Sequence, residues 1–167
     1  MEKLQGLAVV AGSAIGPLLV LRDELTAALE TYVPSAADEE LKKLESAAST
    51  AALQLEEAAG RCREAGQNEQ AGILEAHQLM AQDTALLTAM QEAVSVGAPA
   101  AALQASEQYA AMFEAMDDAY LRERAADVRD VGKRIARVLL GLKEAKPAEG
   151  GAVLAAEDVE PSYLAAL

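Results

Sequence analysis

Apolar residues recur at alternating steps of three and four over two long stretches of the chain. Leu41, Leu44, Ala48, Ala51, Leu55, Ala58 and Cys62 form the first stripe, and Leu121, Ala125, Val128, Gly132, Ile135, Leu139 and Leu142 form the second. That spacing puts each set on one face of an α-helix. The first helix is expected to begin at Ser35, after Pro34, because Ser35-Ala36-Ala37-Asp38 has the spacing of a capping box with Asp in place of Glu or Gln, and to run to about Gly66. The second is expected over Asp118 to Leu142. Stripes of matching length predict that these two helices pack on each other, with Gly132 and the facing alanines allowing a close backbone approach.

Shorter helices fill the interval. One is expected from Asn68 to Gln82, with Ile73, His77 and Met80 along a stripe and Leu74 and Ala81 beside it. Asp83 is placed to cap the next, which carries Leu86, Leu87, Met90 and Val94 and stops at Gly97. Pro99 then opens another, with Leu103, Ala110, Phe113 and Met116 inward.

The ends of the chain change character. Residues 7–11 (LAVVA) and 18–21 (LLVL) flank a turn-like GSAIGP segment and read as buried strands, and GAVLAA at 151–156 reads as a third, after a KPAEG linker. Asp158 to Leu167 is expected to begin a helix with Pro161 in its first turn. Lys3 followed by an apolar stretch has the outline of a secretory signal, but Gly12, Gly16 and Pro17 interrupt it and suit strand-turn-strand better. Three short strands leave open sheet edges and do not make a self-sufficient sheet. The expected fold is therefore mainly α: an antiparallel helical bundle inserted in an incomplete α/β subdomain, represented only by the short terminal strands. The expected boundaries are 1–22 for the first strands, 23–145 for the helical part and 146–167 for the return.

Composition sharpens this reading. Hydrophobic residues make up 52% of the chain and aromatic residues only 3%, so the core must be built from Ala, Leu and Val. A formal charge of −13 argues against nucleic acid and anionic membrane as partners and suits a basic protein. The charge is uneven: residues 35–92 hold 11 acids against 4 bases, whereas 118–143 hold 4 acids against 7 bases. Cys62, the one cysteine, falls on the first stripe and reads as a small core residue compatible with a reducing cytoplasm.

Candidate chemistry is sparse. His77 is the one histidine, so any triad or phosphohistidine chemistry within the chain must pass through it; its place on a helix stripe favours a structural or interface role. No Cys or His cluster has metal-ligand spacing. Gly12 to Gly16 lacks the Gly-Lys-Ser/Thr of a phosphate loop. The densest charged run, Asp117 to Asp130, reads as a solvated helix face with offset ion pairs.

That same run carries a resemblance. Asp117 to Arg134 (DDAYLRERAADVRDVGKR) resembles the signature that closes the helical subdomain of enzyme I, the phosphoenolpyruvate-protein phosphotransferase of the bacterial sugar phosphotransferase system. Leu7 to Leu21 is similar to that family's opening strand-turn-strand, Ala76-His77-Gln78-Leu79-Met80 to its A/G-H-x-x-L/M segment, and Val153 to Leu164 to the strand and helix that return to its α/β subdomain. The resemblance implies a phosphohistidine α/β subdomain interrupted by a helical subdomain that docks the phosphocarrier protein HPr. It implies that the phospho-accepting histidine, in a G-G-x-x-S-H motif, lies beyond Leu167, so that this chain is inactive alone and has no catalytic residue. It places Mg²⁺, the substrate site and the dimer contacts in a separate C-terminal barrel, leaving no cofactor in this chain. The expected HPr contacts are Glu69, Glu75, His77, Met80, Met116 and Arg124, in a cytoplasmic protein serving sugar uptake. After His77 the chain reads Met80-Ala81-Gln82-Asp83-Thr84-Ala85, with fewer acids than the family's Glu-Asp ending. Two other readings stand beside this one: the enzyme I-like part of a dihydroxyacetone kinase phosphotransferase, and a non-enzymatic helical adaptor.

Overall fold

The computed structural model describes residues 15–20, 24–142, 151 and 153–156. These fall into two units. In the small unit, β1 (Leu18–Val20) and β2 (Val153–Ala155) form a parallel two-stranded sheet with Leu18 opposite Val153 and Val20 opposite Ala155. A parallel pair needs a crossover, and here the whole helical segment lies between the strands in sequence. The expectation of a buried strand fails for β1, since Leu18 is 65% and Val20 53% exposed. The strand expected over 7–11, the linker and the terminal helix lie outside the described residues.

The helical unit contains α1 (Glu24–Thr31), α2 (Ala37–Glu64), α3 (Asn68–Ala81), α4 (Thr84–Glu92), a 3-10 turn at Val94–Val96, α5 (Ala98–Glu114) and α6 (Ala119–Leu139). In α2 the first stripe is inward, with Leu44, Ala48, Ala51, Leu55, Ala58 and Cys62 buried. Asp38, Glu39 and Glu40 in its first turn and Arg61 and Arg63 in its last complement the helix dipole. The capping box does not form. The N-cap is Ala36 without a side-chain bond, and Ser35 donates instead through its N–H and hydroxyl to Glu40 at 3.0 and 2.6 Å. Glu40 lies farther into the helix than Asp38 and is fully buried, at 1% exposure. Its carboxylate also accepts from Tyr32 Oη at 2.7 Å, Lys43 Nζ at 2.8 Å and the Ala98 N–H at 2.8 Å. One side chain thus fastens the 32–36 connection and the start of α5 to α2.

Helix starts at Asp83 and Asp118 follow the expectation: Asp83 accepts from the Leu86 N–H at 2.9 Å, and Asp118 from Tyr120 and Leu121 at 2.8 and 3.3 Å. Gly97 has φ 96°, and a β-carbon there would meet Pro34 at 3.0 Å and the Tyr32 ring at 3.2 Å. Both the backbone conformation and the close approach therefore require glycine.

The pairing of the long helices differs from the expectation. α6 packs chiefly along α5, and α2 chiefly along α3, while α2 and α6 meet over a smaller area. The close approach at Gly132 is real but faces α5, where a β-carbon would run into the Ser106 side chain and lie 3.1 Å from the Ala102 carbonyl oxygen. Ala98, Ala101, Ala102, Ala105, Ser106 and Ala110, all buried, line α5 with small side chains. On α3 the buried residues are Ala71, Leu74, His77 and Ala81, so Ile73, at 40% exposure, belongs to the outside. No helix among the described residues is long and apolar enough to cross a membrane.

Candidate functional site

The expected contact residues lie on α3, on the turn before α6 and on the first part of α6. α6 is strongly amphipathic: Ala125, Val128 and Ile135 anchor it in the core, and the same turns carry Arg124, Asp127 and Asp130. The structure joins two of the expected residues through a third. His77 of α3 points its Nε2 at Asp127 Oδ1, 3.2 Å away, and its Nδ1 at Asp130 Oδ2, 3.4 Å away. Both contacts are close enough for ion pairing but lack the alignment of a good hydrogen bond. The other oxygen of Asp127 accepts from Arg124 Nη1 at 2.8 Å, while Arg124 Nη2 donates to Tyr120 Oη at 3.1 Å and the guanidinium lies 4.8 Å from the Tyr120 ring centroid.

These contacts set the charges. Burial opposes ionisation of Asp127, but His77 and Arg124 outweigh it and hold its carboxyl below the ordinary value. The bonds to Asp127 and Tyr120 raise Arg124 further. His77 is 1% exposed and Asp130 4%. His77, one of the expected contacts, therefore lies beneath the surface. The solvated-face reading of the charged run also fails in part, because Asp130 is buried and Asp127 is only 15% exposed.

Glu75 pairs with Arg63 at the end of α2, so it reaches the surface already neutralised in part. Glu69 is exposed in the first turn of α3, Met80 is half-buried near its end, and Met116 is half-buried between α5 and α6, its carbonyl accepting from Arg122 Nη1 at 3.0 Å. A surface hollow of about 260 Å³ is lined by Ile73, Tyr120, Glu123, Arg124 and Asp127. Leu79 is 69%, Tyr120 60% and Met112 46% exposed, which leaves large apolar side chains open on α3, α5 and α6. Sequence reasoning missed Tyr120, Asp127 and Asp130. Their signal was the three-residue spacing Arg124-Asp127-Asp130, which puts all three on one side of the helix. Among the described residues no three His, Cys, Asp or Glu side chains are placed to hold a metal ion, the trio of His77, Asp127 and Asp130 included.

Known proteins are similar to this chain in sequence and fold. A family model described as PEP-utilising enzyme, N-terminal, matches residues 5–124. The phosphoenolpyruvate-protein phosphotransferase of Bacillus subtilis (strain 168) is 34% identical over 174 residues, covering 100% of this chain and 30% of the relative. That of Priestia megaterium is 33% identical over 172 residues, covering 99% of this chain and 30% of the relative. The chain thus spans less than a third of the length of these relatives. Among solved structures, an NMR structure of Enzyme I (nEIt) matches with a TM-score of 0.68 at 32% identity, over 78% of this chain and 55% of that one. The N-terminal domain of Enzyme 1 - Nitrogen matches with a TM-score of 0.67 at 25% identity, over 92% of this chain and 65% of that one. With its helical unit, its parallel strand pair and its matches over nearly the whole length, the chain belongs to the N-terminal family of PEP-utilising enzymes and resembles enzyme I throughout.

Proposed function

We propose that the helical unit is the surface on which the phosphocarrier HPr docks, so that a phosphoryl group passes to it from a phosphohistidine of the same enzyme outside these 167 residues. The observation that carries this reading is the face formed by α3 and the start of α6. Exposed Leu79 and Tyr120 supply apolar area, Glu69, Glu75 and Glu123 supply negative charge around it, and Arg124 is held among them. Such a face suits a partner with an apolar centre and a basic rim. Contacts are assigned to Glu69, Glu75, Met80, Met116 and Arg124, with His77 acting from beneath. The whole enzyme would draw the phosphoryl group from phosphoenolpyruvate and serve sugar uptake in the cytoplasm, where a buried thiol such as Cys62 stays reduced.

His77, the one histidine of the chain, is buried between two carboxylates and is a poor phosphoryl acceptor there, because an incoming phosphate would meet like charge. Incubation of this chain with labelled phosphoenolpyruvate and Mg²⁺ is accordingly expected to leave it unlabelled. Mg²⁺ and the dimer contacts are assigned to the C-terminal part of the whole enzyme.

Titrating isotope-labelled HPr with the chain and following amide shifts tests the docking reading. Shifts clustered around the HPr active-site histidine, weakening as salt is raised, are expected, and Glu75→Ala or Arg124→Ala should reduce them. A folded chain that moves no HPr amide would sink the reading. The match to Enzyme 1 - Nitrogen over 92% of the chain makes that branch's carrier the second partner to titrate.

A further inference from the structure

The docking reading uses Arg124 and sets His77 beneath it without saying how His77, Asp127 and Asp130 act, although gathering three titratable groups in and at the edge of the core is costly unless each is paired. Their geometry suggests what they do. The two oxygens of Asp127 serve opposite directions: Oδ1 faces His77 Nε2 in the core at 3.2 Å, and Oδ2 accepts from Arg124 Nη1 at the surface at 2.8 Å. The imidazole is held from its other side by Asp130, 3.4 Å from Nδ1, and cannot swing because it is fully buried. Beyond Asp127, the guanidinium is fixed a second time by the Tyr120 hydroxyl and ring. A free surface arginine samples many rotamers and must be immobilised when a partner binds, a cost that prior fixing removes.

We propose that His77 is a positioning residue for docking. From α3 it orients the Asp127 carboxylate on α6, and that carboxylate holds Arg124 flat against Tyr120, with its remaining N–H groups turned to an acceptor on the carrier. The proposal rests on the reading of this face as the HPr surface and explains why a buried histidine, and not an exposed one, lies under it. The relay depends on an N–H at Nε2, the imidazole nitrogen that faces Asp127 Oδ1.

A double-mutant cycle decides between positioning and mere structure. HPr affinity is measured for the chain, Asp127→Asn, Arg124→Ala and the double variant, with melting curves as a folding control. Residues coupled in one network lose affinity non-additively; Asp127→Asn is expected to weaken binding about fivefold in the original chain and by less than about twofold when Arg124 is already alanine. The same loss in both backgrounds, or none in the first, would overturn the proposal. His77→Leu should repeat the pattern, and His77→Gln, whose amide can still donate to Asp127, should restore affinity to within about twofold. Should His77→Leu fail to fold, the Asp127→Asn cycle decides alone, since Asp127 lies at the edge of the core.

Failure of the underlying reading is separable. If the unaltered chain does not bind HPr, docking is wrong, and the relay is then read in the free chain from the Arg124 Nη1–H resonance, the group that donates to Asp127. That resonance should be sharp and protected from exchange, and should lose both properties in Asp127→Asn. An unchanged resonance would overturn the relay in its own right.

Discussion

At the scale of single residues, the largest correction to the sequence reading is Glu40. The sequence reading passed over it, because a carboxylate in the first turn of a helix is ordinary, and Ser35 was the expected cap. The carboxylate is instead buried beneath five donors from Tyr32, Ser35, Lys43 and Ala98. No local pattern announces this, because the Ala98 N–H comes from 58 residues away in sequence. Burial alone would raise the Glu40 pKa, but the bonds from Ala98, Lys43, Ser35 and Tyr32 dominate and hold it far below its ordinary value of 4.5. A group whose folded pKa is depressed stabilises the fold above its unfolded pKa and loses that contribution as pH falls toward the folded one. Stability should therefore decline as pH drops below about 4.5, and the decline should be shallower in Glu40→Gln. At neutral pH that variant should lose about 2–4 kcal/mol, since an amide nitrogen replaces one acceptor where the Ala98 N–H, the Ser35 N–H and the Lys43 ammonium can only donate. Urea unfolding at neutral and acid pH measures both effects; an unaltered midpoint would contradict the role assigned to Glu40.

At the scale of elements, helix existence was legible and helix pairing was not. The stripes of α2 and α6, the caps at Asp83 and Asp118 and the stop at Gly97 appear where periodicity and turn chemistry put them. α1 had no such stripe and is found only in the structure. Pairing failed because the two longest stripes were matched by length, whereas what brings α6 onto α5 is side-chain size. The small residues of α5 favour a helix by their propensity, and in three dimensions they also make room for Gly132. Gly132→Ala would ordinarily favour a helix interior, yet here it is expected to destabilise by about 1–3 kcal/mol, because the new methyl group overlaps Ser106. Ser106→Gly in the same chain should recover part of the loss by removing the overlapping atoms. Thermal melting of the single and double variants checks this, and a Gly132→Ala chain that melts higher than the original would show that α5 and α6 separate easily.

At the scale of the molecule, the core formed by the described residues lies in one stretch of sequence. The connected cluster of buried apolar side chains runs from Leu25 through Leu44, Leu55, Leu74, Met90 and Val131 to Ile135 and Ala136, and the half-buried residues packed on it end at Leu142. Every member lies within residues 24–142, and the buried Glu40 and His77 clusters draw their partners from that stretch too. The two strands contribute a parallel pair of three residues each, which is too short to be stable unaided. Terminal strands that seemed orphaned in the sequence thus signalled a second unit, while the acidic helical part could be recognised from periodicity alone. A helical unit that owns its core and its buried polar partners should fold without the strands. A chain of residues 24–142 is expected to keep its helical circular dichroism, to melt cooperatively within a few degrees of the longer chain, and to bind HPr with the same salt dependence. Loss of cooperative melting on trimming would mean that contacts from the terminal segments hold the bundle together, and the docking surface would then depend on the strand-bearing unit for its shape.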